Sequence, residues 1–337
     1  MLEIDQRVSE VHGVQPSAVP AEILTSTEPL LLKGLVLDWP IVKAGLESAT
    51  AAAEYLLSFY ADVIVGAGYV APQDAGRFFY NDDMSGFNFD RDMVQLDEVL
   101  AEILEHEHVE GARSCYVGST KVDACLPGFR AENDVNFGDI SPLVNFWLGS
   151  RTRIAAHWDL PDNLACCAVG RRRFTLFPPE ELENLYVGPL HITPSGREVS
   201  QVDFQNPDFD KYPRFRKALE SAQVAELEPG DALFVPSMWW HHVEGLDSLN
   251  VLVNYWWRQS PSYMGTPANA LNLALLTIRD LPTEQRKVWH NIFRYYVFDA
   301  DEHTFDHIPE RVRGPLGPID EQTARQLRAD LLNKLNR

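Results

Sequence analysis

The chain has 337 residues, is 45% hydrophobic and carries a formal charge of −20, with 49 acidic against 29 basic side chains. That length supports a sizeable core, as one large domain or one domain with an accessory unit. So acidic a surface repels a phosphate backbone, which disfavours nucleic acid as a partner and favours small molecules or basic peptides.

The start, Met1-Leu2-Glu3-Ile4-Asp5, has no apolar segment of the secretory kind, and no run of eighteen apolar residues is present to span a membrane. Pro29 to Leu37 reads as a buried strand closed by a turn at Asp38-Trp39-Pro40. Ser48 to Tyr60 is Ala-rich with helical spacing, and Val63 to Val70 is a strand. Phe78-Phe79-Tyr80 and Phe87-Asn88-Phe89 read as aromatic strand pieces around a loop. Leu96 to Glu107 is a helix whose stripe is Leu96, Val99, Leu100, Ile103 and Leu104.

Cys115 to Val117 is a strand, 120–140 a loop, and Leu143 to Leu148 a strand broken at Gly149. The four cysteines lack zinc-type spacing and read as reduced thiols in a cytoplasmic protein, with Cys166-Cys167 in the core. Phe174 to Phe177 is a strand ended by Pro178-Pro179. Residues 180–222 are polar and poorly periodic, a long irregular insertion of the kind that covers a substrate. Glu228 to Asp231 is a tight turn, and the strands Ala232 to Val235 and Leu249 to Trp257 follow. Beyond Pro261 the pattern is helical: Ala268 to Ile278, Pro282 to Phe298, and a helix capped by Asp320 with Ala324, Leu327, Leu331 and Leu335 in a stripe. The fold class is therefore mainly β with flanking helices. About eight central strands form a double-sheet jelly roll, with a helical C-terminal region. The divisions are 1–110, an α/β portion completing the barrel; 111–260, the core; and 261–337, helical.

The chemistry concentrates between Ala155 and Trp256. His157 and Asp159 are spaced i, i+2, so on a strand both leave one face. A second histidine about eighty residues later, His241 or His242, lies on another strand. Strand neighbours alternate, so only one of these two faces inward. Two histidines and one carboxylate on one face form the facial triad of non-haem Fe(II) oxygenases, with positions left for a 2-oxo acid and dioxygen. In Gly170-Arg171-Arg172-Arg173-Phe174-Thr175-Leu176, alternation puts Arg172 on the face of Phe174 and Leu176. Arg171 and Arg173 share the face of Thr175. An arginine among inward apolar residues requires an anionic partner, and its fork suits a carboxylate.

The chain resembles the JmjC, or cupin-like-8, family of Fe(II)/2-oxoglutarate oxygenases, which includes protein asparaginyl hydroxylases. The resemblance rests on His157-x-Asp159, Asn163, Gly170 to Pro179, Ser200-Gln201-Val202-Asp203-Phe204 with Asn206-Pro207-Asp208, Pro229-Gly230-Asp231, Trp239-Trp240-His241-His242 and Asn254-Tyr255-Trp256. It is strong over about 140–258 and weaker over Pro29 to Pro40. It implies that His241 is the second histidine ligand, so that His157, Asp159 and His241 bind Fe(II) as the catalytic set. It further implies that Arg172 and Tyr116 bind the 2-oxoglutarate carboxylate, that Asn163 and Asn254 line the pocket, and that Trp256 packs near the cosubstrate. Two positions depart from the pattern. Arg172 stands where relatives usually have Lys, and Ile154 where the asparaginyl hydroxylases have a Thr that contacts 2-oxoglutarate. The implied function is hydroxylation of a C–H bond, of a protein or peptide side chain first, with 2-oxoglutarate decarboxylated to succinate. The alternatives are a non-catalytic cupin-fold binding protein, or a hydroxylase of a small molecule or a tRNA base. Relatives dimerise through C-terminal helices, which implies a homodimer here.

Overall fold

The computed structural model describes Leu2 and residues 4–336. Contacts divide the chain into two units, Met1–Arg258 and Gln259–Arg337. Among the described residues the first unit holds fourteen strands: β1 (Ser9–His12), β2 (Leu30–Lys33), β3 (Val65–Val70), β4 (Arg77–Phe78), β5 (Phe89–Val94), β6 (Ser114–Lys121), β7 (Leu143–Gly149), β8 (Arg153–His157), β9 (Asp162–Val169), β10 (Arg172–Phe177), β11 (Gln223–Leu227), β12 (Ala232–Val235), β13 (Trp240–Gly245) and β14 (Asn250–Trp257). They form a nine-stranded sheet, β1-β2-β12-β9-β14-β7-β6-β3-β5, and a five-stranded sheet, β11-β10-β13-β8-β4.

The last eight strands divide evenly, with β7, β9, β12 and β14 in the large sheet and β8, β10, β11 and β13 in the small one. That is the jelly roll the central spacing predicts, and β1 to β6 extend its edges. Alternation along each strand then assigns the layers. One face of the large sheet, through Ala67, Val117, Phe146, Leu148 and Val253, packs on helices Pro40–Glu47, Ala49–Leu57 and Leu96–Glu105. The opposite face meets the small sheet around Cys167, Phe174, Leu176 and Leu252. Cys166 and Cys167 are both buried free thiols.

Three local readings change. Trp39-Pro40 does not end in a turn; Pro40 is the first residue of a helix, where its missing N–H costs nothing and its φ is already helical. The helix after it begins at Ala49, with the Ser48 hydroxyl accepting from the Ala51 N–H at 3.0 Å. Residues 180–222 are irregular, as expected, but most of the segment is packed structure. Leu185, Val202, Phe204, Phe215 and Ala218 bury against Ala156, Phe177 and Trp240 on the outer face of the small sheet.

In the second unit, helices Ala268–Thr277, Thr283–Phe293 and Glu321–Leu335 are the principal elements. The Asp320 carboxylate caps the last, accepting from the Thr323 N–H at 2.8 Å. Tyr295 and Tyr296 pack their rings on buried Phe305, at 5.9 and 5.8 Å between centroids. Val288, Trp289, Phe298, Leu327, Leu331 and Leu335, by contrast, are exposed. Among the described residues no helix is long and apolar enough to cross a membrane.

Candidate metal centre

His157 is the last residue of β8, and the antiparallel register with β13 sets His241 directly opposite it. The two rings lie 4.4 Å apart. Strand β8 ends there, so Asp159 does not reach the site by strand alternation, as the i, i+2 spacing implied. It sits in the bend that follows, and the bend is tied to the β12–β13 turn. The Met238 N–H donates to the Asp159 carbonyl at 2.8 Å, and the Ser237 hydroxyl donates to Leu160 O at 2.6 Å. Met238 adopts φ +70° to make this turn. As a result His157, Asp159 and His241 each place a ligand atom within 4.8 Å of the others, the one such group among the described residues. The Asp159 carboxylate lies 3.7 Å from His241 Nε2.

Backbone carbonyls fix the tautomers. His157 Nδ1 lies 2.9 Å from Ala155 O and His241 Nδ1 3.0 Å from Trp239 O. A carbonyl only accepts, so each Nδ1 carries the proton and each Nε2 keeps its lone pair for a metal. Burial, reinforced by the adjacent His157 ring, pushes His241 down to about 4, so at neutral pH it is an uncharged ligand. Two imidazoles and a carboxylate on one side of a shared point match the donor set of an Fe(II) facial triad. His242 turns to the opposite face of β13. Its ring stacks on Phe204 at 4.7 Å, and burial pushes it down to about 3.

Arg172 is 3% exposed and shares the interior face of β10 with Phe174 and Leu176, as alternation predicts. Arg171 and Arg173 point outward to Asp247 and Glu226, at 2.9 and 2.7 Å. Arg172 has no ion-pair partner among the described residues, and its buried Nε has no hydrogen bond. Burial lowers its pKa. The nearby Tyr116 is half-buried; desolvation raises its hydroxyl pKa while the Arg172 charge pulls it back. An enclosed guanidinium without an anion, beside a phenol, is a cradle for a carboxylate. Ile154 packs against Tyr116, Val70 and Phe78. It offers no hydroxyl to a cosubstrate.

Asn163, Asn254 and Trp256 gather at the other side of this region. The Trp147 indole donates to Asn254 Oδ1 at 2.8 Å, and Asn254 Nδ2 donates to Asn163 Oδ1 at 3.3 Å. Trp147 also stacks on Tyr116 and meets Trp256 edge-on, at 6.1 and 5.7 Å. Sequence reasoning missed Trp147; it sits at the correct alternation in β7, but nothing in that pattern separates it from core.

A cavity of about 380 Å³ opens beside the triad, lined by His157, Asp159, Tyr116, Trp147, Ile154 and Trp256. His241, Arg172, Asn163 and Asn254 are buried and do not line it. One arm of the cavity runs over Gly66, Gly68 and Gly118 towards Arg91 and Met93. These glycines were also missed. A Cβ at Gly66 would meet only the Met93 sulfur, at 3.9 Å, whereas Gly68 and Gly118 let the rings of Phe78, Tyr116 and Trp147 lie close on the backbone. The long insertion reaches the cavity only through Pro194, Ser195 and Val199. That stretch is held by the Arg91 guanidinium donating to Pro194 O at 3.0 Å and the Tyr80 hydroxyl donating to Ile192 O at 2.7 Å.

The sequence matches the cupin-like domain family over residues 16–263. It is 26% identical over 263 residues to lysine-specific demethylase 8 of Xenopus tropicalis, covering 76% of this chain and 54% of that protein. It is 37% identical over 118 residues to lysine-specific demethylase JMJ31 of Arabidopsis thaliana, covering 35% and 21%. It is 32% identical over 145 residues to tRNA wybutosine-synthesizing protein 5 of Gallus gallus, covering 39% and 42%. The matched stretches thus span about half or less of these relatives. With a jelly roll of eight strands, a His-Asp-His group at its mouth and the family pattern running through both, the chain belongs to the cupin-like domain family of JmjC type.

Proposed function

We propose that the protein is an Fe(II)- and 2-oxoglutarate-dependent dioxygenase that hydroxylates a C–H bond, most simply on a protein or peptide side chain. The observation that carries this reading is the pairing of the two half-sites. A two-histidine, one-carboxylate group within 4.8 Å lies beside a buried guanidinium that has no anion of its own. When bound, the metal would supply dioxygen activation coupled to decarboxylation of 2-oxoglutarate to succinate.

The chain's own residues have separate tasks. His157 and His241 present Nε2 lone pairs because their Nδ1 protons are held by Ala155 and Trp239 carbonyls. Asp159 supplies the one negative charge at the metal. Arg172 and Tyr116 hold the far carboxylate of 2-oxoglutarate and fix its register. Trp147, Trp256 and Ile154 wall the cavity with apolar surface and keep water from the reacting carbon. The arm beside Gly66, where no side chain of that strand projects, supports a chain-like substrate. The formal charge of −20 supports a basic segment over RNA.

The test is anaerobic titration with Fe(II) and 2-oxoglutarate, followed by succinate release against a peptide library. Binding with a charge-transfer band, absent in His157→Ala, and peptide-stimulated succinate are expected. Tight binding without succinate would instead support a non-catalytic binding protein, and stimulation by tRNA alone would move the substrate to a nucleobase.

A further inference from the structure

Trp147 touches three of the residues placed around the cosubstrate, Tyr116, Asn254 and Trp256. Its hydrogen bond settles a question of polarity. A side-chain amide fits its space either way round, and only its partners decide which end is oxygen. An indole N–H can only donate. The 2.8 Å contact therefore requires Asn254 to turn its oxygen to Trp147 and its NH2 to Asn163, whose oxygen accepts at 3.3 Å. Asn163 is left with its NH2 as the free end, bonded to no described residue. Without the indole proton both amides are free to flip together, and Asn163 would then present an acceptor.

The neighbouring rung agrees in sign. Register pairs Trp256 with Asn163. Trp256 Nε1, which can only donate, is buried with no acceptor. Trp256 lines the cavity and Asn163 is its buried partner across β9 and β14, so the N–H groups on this wall suit anionic oxygen. We infer that Trp147 is a positioning residue whose indole N–H sets the polarity of the Asn254–Asn163 pair, so that the pocket presents donors to an oxyanion ligand. The inference rests on the 2-oxo acid reading above.

The experiment is calorimetry of 2-oxoglutarate binding to the full chain loaded with Mn(II), for wild type, Trp147→Phe, Asn254→Asp and the double variant. Trp147→Phe keeps the ring and loses the proton; about tenfold weaker 2-oxoglutarate binding is expected. Asn254→Asp still accepts from the indole but forces Asn163 to donate inward, with a loss of similar size. Because both act by reversing one amide, the double variant loses less than the product of the two. Mn(II) affinity alone stays at the wild-type value, whereas a merely structural defect lowers both affinities. Wild-type 2-oxoglutarate affinity in Trp147→Phe, losses that multiply, or parallel loss of Mn(II) would overturn the assignment. Wild type that binds Mn(II) but no 2-oxoglutarate would overturn the functional reading itself, and this assignment with it.

Discussion

Arg172 concentrates the residue-scale argument. A buried guanidinium with no carboxylate destabilises the ligand-free fold, and that imbalance is what a dicarboxylate would relieve. Arg172→Met should therefore separate stability from binding. The ligand-free variant is expected to be more stable by about 1 kcal/mol or more in urea. Its 2-oxoglutarate affinity is expected to fall about 100-fold, measured by calorimetry with Mn(II). A variant that loses stability and keeps affinity would show Arg172 to be a structural ion instead.

The histidines give a pH dependence with a definite sign. Burial takes His242 from 6.5 to about 3 and His241 from 6.5 to about 4. Below pH 6.5 the unfolded chain takes up protons that the folded metal-free chain refuses, so stability is full above 6.5 and declines as pH falls through this window. Each such histidine contributes about 1.4 kcal/mol per pH unit. Between pH 6.5 and 5, wild type should lose about that much more per unit than His242→Gln, read from urea midpoints at each pH. Identical slopes would count against a neutral buried His242. Alternation made Arg172 legible in the sequence, and the residue types made His157 and Asp159 legible. Alternation alone left His241 and His242 open and the resemblance pointed to His241; the register of β13 against β8 sets that ring opposite His157 and the other against Phe204.

At the scale of elements, the strand β3 is the informative one. Its Val-Gly-Ala-Gly-Tyr-Val pattern puts Ala67 and Tyr69 into the helix-facing core and leaves Gly66 and Gly68 on the cavity side. Gly118 of β6 lies farther along the arm, where a Cβ would stand 3.2 Å from Tyr116 and 3.3 Å from Trp147, whereas at Gly66 it would meet only the Met93 sulfur, at 3.9 Å. Gly66→Val should block the arm while leaving the metal and the Arg172 cradle in place. Unchanged Mn(II) affinity is expected, with peptide-stimulated succinate release lost; stimulation at the wild-type level would exclude the arm as a substrate channel. The insertion teaches the converse. Its poor periodicity is real, yet Phe204 and Phe215 anchor it by aromatic contacts, 5.1 Å apart, that no local pattern announces. Residues without a repeating period still bury side chains when a sheet face offers them a surface.

For the whole molecule, the second unit carries the open question of assembly. Trp289, Phe298, Leu327 and Leu331 are exposed within a helical segment. A second copy of the chain would cover such side chains, and we propose that these helices form a homodimer. Sedimentation at micromolar concentration should report a dimer for the full chain and a monomer for Trp289→Asp with Leu331→Asp. A wild-type monomer would dismiss the proposal.

The sequence by itself determined the class of fold and the set of donor side chains. Alternation and turn residues define eight central strands, and two histidines, one aspartate and an inward arginine are unusual enough in type and spacing to point to an iron oxygenase. Only the tertiary structure decided how these parts meet. Asp159 lies beyond the end of its strand and is returned by a turn near Ser237, seventy-eight positions away in the chain. The glycines along the cavity arm come from two strands distant in sequence, and Trp147 meets its partners on two other strands, β6 and β14. The reason is physical: periodicity encodes which face a side chain leaves by, whereas register, bulges and long-range hydrogen bonds decide what it finds there.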